Sequence, residues 1–140
     1  MQLFSHDTKV EALRACPFFE GLSRGELHEL AKRTEDLEFE AGKVLAREGA
    51  TGSEFFVILE GDVSVTKDGQ EIRSLGPGDF FGEIALIEDR PRTATVTAKT
   101  PLRFFILTRQ NFRRLLEQQP ELEEKVMRAL EERVRATEQV

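Results

Sequence analysis

The 140-residue chain carries 26 acidic against 20 basic residues, a net charge of −6, which argues against a general nucleic-acid or anionic-membrane binder with a basic face. Charged residues make up 33% and hydrophobic residues 39%, the balance of a globular chain, and the length fits a single domain over residues 1–140. Two His (His6, His28) and one Cys (Cys16), in no CxxC, HxH or HExxH spacing, leave no metal site or metal cofactor to expect.

The first seven residues, Met1-Gln2-Leu3-Phe4-Ser5-His6-Asp7, hold no apolar core of a signal peptide. Val10, Leu13 and Cys16 recur at three-residue spacing, one face of a short helix over 7–16. Cys16 opens the apolar stretch Cys16-Pro17-Phe18-Phe19 and has no second Cys to bridge. It reads as a small buried thiol, suited to a reducing cytoplasm. Ser23 and Glu26 form a capping box for a second helix with Leu27, Leu30 and Ala31 on its apolar face. Residues 1–34 thus make a helical segment.

From about residue 35 the period changes to two. Leu37 and Phe39 alternate with acidic residues, and Val44-Leu45 lies between Gly42 and Gly49. Phe55-Phe56-Val57-Ile58-Leu59 is a continuous apolar run, a buried strand far short of the roughly 20 residues of a membrane span. Val63 and Val65 alternate with Ser64 and Thr66, and Asp68-Gly69 marks a type I′ hairpin before Ile72. Gly76-Pro77-Gly78-Asp79 is a further turn, Ala94, Val96 and Ala98 alternate with Thr, and residues 102–107 form the last strand. Many short strands separated by turns predict a sandwich, jelly roll or small barrel over 35–108.

Helical period returns at 109. Phe112, Leu115 and Leu116 form one short helix, which Pro120 ends or restarts. Leu122, Val126, Leu130 and Val134 then recur every four residues in a helix over roughly 121–138. Its Glu121, Glu123, Glu124, Lys125, Arg128, Glu131, Glu132 and Arg135 read as a solvated face.

Residues 76–97 carry the chemistry. Gly82-Glu83 precedes the short apolar run Ile84-Ala85-Leu86-Ile87, long enough for one helical turn whose first N–H groups can face an anion. Arg92 follows nine residues after Glu83, and its planar guanidinium can grip two phosphate oxygens. Glu83 is a poor phosphate ligand but a good acceptor for a sugar hydroxyl. The three together suit a ribose phosphate.

The stretch Phe81-Gly82-Glu83-Ile84-Ala85-Leu86, followed by Arg92-Thr93-Ala94-Thr95-Val96, resembles the phosphate-binding cassette of cyclic nucleotide-binding domains. Those domains occur in catabolite activators, kinase regulatory subunits and cyclic-nucleotide-gated channels. Pro17-Phe18-Phe19-Glu20-Gly21-Leu22-Ser23, Gly49, and Phe56-Val57-Ile58-Leu59-Glu60-Gly61 extend the resemblance over nearly the whole chain. It implies an α+β fold, an eight-stranded jelly-roll barrel with helices at both ends and the cassette at 81–94. It further implies that Arg92 pairs with the cyclic phosphate and that Glu83 accepts from the ribose 2′-hydroxyl. Ala85 and Leu86 would offer N–H groups, Gly82 would give the ribose room, and Thr93 would line the pocket. Ile84 and Ala94 complete the implied ligand-binding set. The insert Glu88-Asp89-Arg90 reads as a solvent-facing turn. Thr after the Arg occurs in relatives that favour cyclic GMP and in some that answer to cyclic AMP, so cyclic AMP is expected with cyclic GMP as the alternative. Leu130, Arg133 and Val134 are candidate lid residues, although Leu130 and Val134 can equally pack on the barrel. With no Trp or Tyr, the base cover must come from Phe, Arg or an aliphatic side chain.

The resemblance thus implies a non-catalytic sensor that repositions its last helix, and the single free Cys suits a cytoplasmic location. Only six residues follow Val134, so an effector protein is expected in place of a DNA reader or pore in this chain. A monomer or weak homodimer is expected. The alternative is a ligand-free structural or interaction domain of the same fold, with Glu83 and Arg92 joined in a salt bridge.

Overall fold

A computed structural model describes residues 4–136. Helix α1 (His6–Arg14) begins at Ser5, whose hydroxyl accepts from the Thr8 N–H. It ends two residues before the expected 16, because the chain breaks there into a 3-10 turn, Pro17–Phe19, with Cys16 as its N-cap. Helix α2 (Arg24–Lys32) starts on the complete Ser23/Glu26 capping box. Val10 and Leu13 from α1, and Leu27, Leu30 and Ala31 from α2, are buried together. A buried ion pair, Lys9 Nζ to Asp36 Oδ1 at 3.0 Å, ties α1 to the first strand.

Eight strands follow: β1 (Glu35–Phe39), β2 (Val44–Ala46), β3 (Glu54–Glu60), β4 (Val63–Lys67), β5 (Gln70–Leu75), β6 (Phe80–Phe81), β7 (Thr95–Ala98) and β8 (Leu102–Thr108). They form two four-stranded antiparallel sheets, ordered β1-β8-β3-β6 and β2-β7-β4-β5; the eight-stranded jelly roll expected from the resemblance is thus a sandwich of two sheets. The β4–β5 turn has positive φ at both Asp68 (52°) and Gly69 (81°), as a type I′ turn requires.

The apolar run of β3 is explained by its two covered faces. Phe56 and Ile58 join Val63, Val65, Val96 and Phe104 between the sheets. Phe55 and Val57 face the other way, into a core made with the helices. A strand covered on both sides loses the alternation of a half-exposed one.

Thr108 caps helix α3 (Arg109–Gln118) by accepting from the Asn111 N–H. Pro120 then restarts the chain as helix α4 (Pro120–Ala136), a position that lacks nothing by having no N–H. Residues 137–138 of the expected helix lie outside the described residues. Phe112, Leu115 and Leu116 of α3 and Leu122, Val126 and Leu130 of α4 complete the helical core. No helix among the described residues is long and apolar enough to cross a membrane.

Candidate ribose-phosphate site

Gly82 opens the site. Its φ of 83° lies in the left-handed region, and a Cβ there would sit 2.7 Å from Arg92 Nη1 and 2.8 Å from the Glu54 carbonyl oxygen. Glycine is required both by the backbone and by the close approach. The next four residues, Glu83–Leu86, form the single helical turn expected, wound as a 3-10 turn. The Ala85 N–H donates to the Gly82 carbonyl at 3.1 Å, so this donor is engaged within the turn. Ile84, Ala85 and Leu86 are buried, with Leu86 in the helical core.

Glu83 has 0% exposure. Its Oε2 accepts from Arg133 Nε of α4 at 2.9 Å, while its Oε1 is buried with no hydrogen-bond donor among the described residues. Cys16 sits close to this charge. Burial first, and the Glu83 carboxylate second, push its thiol up to about 12, against a smaller opposing pull from Arg133. The thiol is the inert, buried one expected.

Arg92 approaches from the return path. Its backbone is fixed by two bonds to the 49–51 loop, Arg92 N–H to the Ala50 carbonyl and Gly49 N–H to the Arg92 carbonyl, both 2.8 Å. The side chain is 6% exposed, and its Nη2 donates to the Glu54 carbonyl at 2.9 Å. The Glu54 carboxylate lies 3.6 Å away, and the guanidinium stands 5.7 Å from the centre of the Phe56 ring. Burial lowers the guanidinium's pKa, Glu54 opposes this, Arg109 adds to it and Glu83 opposes it. An arginine stays a cation under all of these. A concavity of about 230 Å³ opens beside it, lined by Ala46, Arg47, Gly52, Glu54 and Arg92 among others.

The structure therefore brings Gly82, Glu83 and Arg92 together, with Thr93 half-buried and Ala94 buried next along the chain. Glu83 and Arg92 do not form the salt bridge the ligand-free alternative calls for; each has a different partner, Arg133 and Glu54. Of the lid candidates, Arg133 reaches the site, Leu130 is fully buried in the helical core and Val134 is half-buried. The 88–90 insert is less free than expected: Glu88 is half-buried, and Asp89 pairs with Arg109. Glu54, Phe56 and Arg109 were not legible as site residues. Glu54 lies 38 residues before the guanidinium it meets, and no local pattern carries such a pairing.

The model of the cyclic nucleotide-binding domain matches residues 36–119, the barrel, the cassette and α3. The chain belongs to the cyclic nucleotide-binding domain family. Among solved structures, this cyclic nucleotide-binding domain is similar to the N-terminal domain of a transcriptional regulator from Streptomyces coelicolor A3(2). That match has 30% identity and a TM-score of 0.79, over 89% of this chain and 90% of the other. A cyclic nucleotide-binding-like protein from Brucella abortus matches at 31% identity and a TM-score of 0.74, over 79% of this chain and 99% of its own. A structure of cAMP-bound PfPKA-R (141-441) matches at 27% identity and a TM-score of 0.69. There the domain spans 91% of this chain but 46% of the other.

Proposed function

We propose that this chain is a non-catalytic sensor module that binds cyclic AMP, with cyclic GMP as the alternative, and signals by repositioning α4. The observation that carries the reading is the orphaned Oε1 of Glu83. A buried carboxylate oxygen without a donor is costly, and native proteins rarely leave one. A ribose 2′-hydroxyl is a donor of the right kind, and Arg92, packed against Gly82, would supply the cation for a cyclic phosphate. The cAMP-bound relative supports cyclic AMP as the first ligand to test.

The signal follows from Arg133. A ribose hydroxyl donating to Oε1 draws charge from the carboxylate that holds this guanidinium through Oε2, and so weakens that hold. Arg133 then moves outward or turns to cover the base, and α4 moves with it. Such a shift requires that the nucleotide bind the two positions of α4 with different affinity. The chain would pass the change to an effector protein, as a cytoplasmic monomer or weak homodimer.

A second reading, a ligand-free structural or interaction domain, is favoured by the fact that Arg92 and Glu83 already have protein partners. Calorimetry of the purified chain with cyclic AMP and cyclic GMP separates the two. Binding is expected, and ligand at 100 times its dissociation constant should raise stability by about 2.7 kcal/mol in a melt. No heat and no shift with either nucleotide would leave the second reading standing.

A further inference from the structure

Helix α3 begins at Arg109, whose side chain turns back under the cassette. Nε donates to the Ala85 carbonyl at 2.6 Å, and Nη1 pairs with the Asp89 carboxylate. Nη2 faces the carbonyls of Gly52 at 3.3 Å and Glu88 at 3.4 Å. The backbone N–H of Arg109 donates to the Ser53 carbonyl at 2.8 Å. The side chain is 13% exposed.

These acceptors lie on the cassette and beside the seat of Arg92. Ala85 lies in the last part of the Glu83–Leu86 turn and Glu88 just beyond its end, where the carbonyls of a short helix run out of partners. Gly52 is the surface on which the Arg92 guanidinium rests; a Cβ there would overlap its Nη2, Nε and Cζ. One guanidinium thus reaches the backs of both the cassette turn and the Arg92 seat. It does so from the first residue of α3, which shares a core with α4 through Phe112, Leu115 and Leu116.

We propose that Arg109 is a positioning residue that holds the cassette turn in its ligand-receiving shape and ties it mechanically to α3 and α4. The task needs a planar fork with donors pointing three ways. Lysine keeps the charge but brings a single nitrogen that cannot meet all four acceptors. The ligand half of this proposal rests on the nucleotide-binding reading; the tie itself does not.

The test uses the full chain with Arg109→Lys and, as a milder variant at an exposed partner, Asp89→Ala. Without ligand, amide exchange at residues 84–89 should quicken about tenfold in Arg109→Lys and less in Asp89→Ala, while β3 and β8 keep their protection. With the nucleotide that the unaltered chain binds, affinity should fall about tenfold in Arg109→Lys, and the ligand-induced change in α4 exchange should shrink. Unchanged exchange at 84–89 overturns the tie, with or without nucleotide binding. Faster exchange across the whole chain overturns it too, since that reports lost folding. Faster local exchange with unaltered affinity overturns the positioning role. If the unaltered chain binds neither nucleotide, the nucleotide reading fails, and exchange at 84–89 still decides the tie.

Discussion

Arg133 Nε of α4 lies 2.9 Å from Glu83 Oε2, across 50 residues of chain. The same guanidinium stands 5.3 Å from the Phe18 ring centre and 5.5 Å from that of Phe80. It joins the last helix, the Pro17–Phe19 turn and the cassette at one point. Glu83 is fully buried and Arg133 is 30% exposed, so the bridge is worth less than a wholly buried pair. Arg133→Ala should destabilise the chain by about 1–3 kcal/mol, because it strips a buried carboxylate of its partner. Glu83→Gln in that background should recover most of the loss. Chemical denaturation of the single and double variants measures this; equal midpoints for Arg133→Ala and the unaltered chain would count against the bridge.

Arg92→Ala should cost roughly 2–5 kcal/mol of nucleotide binding, at least about tenfold in affinity, since the phosphate would lose a buried cation. Arg92→Lys should fall short of full affinity, because an ammonium cannot both hold the Glu54 carbonyl and grip two phosphate oxygens. Calorimetry reads both; undiminished affinity in Arg92→Ala would sink the phosphate role.

Gly82→Ala and Gly25→Ala should move stability in opposite directions. At Gly82 the positive φ and the contacts with Arg92 and Glu54 make a methyl group cost about 1–3 kcal/mol, and Arg92 must give way. At Gly25, inside α2, a Cβ meets nothing nearer than 3.9 Å, so alanine should stabilise by up to about 1 kcal/mol. Thermal melts of the two variants give the signs.

His6 stacks on His28 with ring centres 4.5 Å apart, and its Nε2 is buried without a hydrogen-bond partner among the described residues. Burial, then His28, Lys9 and Lys32, hold its pKa below the ordinary 6.5, against a smaller opposing pull from Asp7. The unfolded chain therefore binds a proton at higher pH than the folded one. The penalty is absent above pH 6.5, appears as pH falls through that value and is complete below the folded pKa. The melting temperature should drop across that window, and His6→Gln should flatten the drop. A pH series of melts on the two chains checks it; parallel curves would remove His6 as the cause.

Much of the fold was legible because it depends on local rules. The Ser23/Glu26 capping box, the Asp68-Gly69 turn and the restart at Pro120 each use residues a few positions apart, where backbone geometry selects the side chain. The end of α1 was misplaced because the three-residue spacing of Val10, Leu13 and Cys16 continues into the Pro17–Phe19 turn. A 3-10 turn has the same spacing as one face of a helix, so periodicity cannot tell them apart.

The sequence by itself determined a strand-rich domain with flanking helices, because period and turn residues are local signals, and it put Gly82, Glu83 and Arg92 on one short stretch of chain. Only the tertiary structure decided who their partners are. Glu54 meets Arg92, Arg133 meets Glu83 and Arg109 meets Ala85, across 38, 50 and 24 residues. Ion pairs and charge-assisted hydrogen bonds at such separations depend on how the sheets and helices dock, and an Arg on a helix face carries no sign of which carboxylate it will find. The acidic balance that argued against polyanionic partners is compatible with a buried site built around one guanidinium, because burial, more than net charge, sets the field an anion meets there.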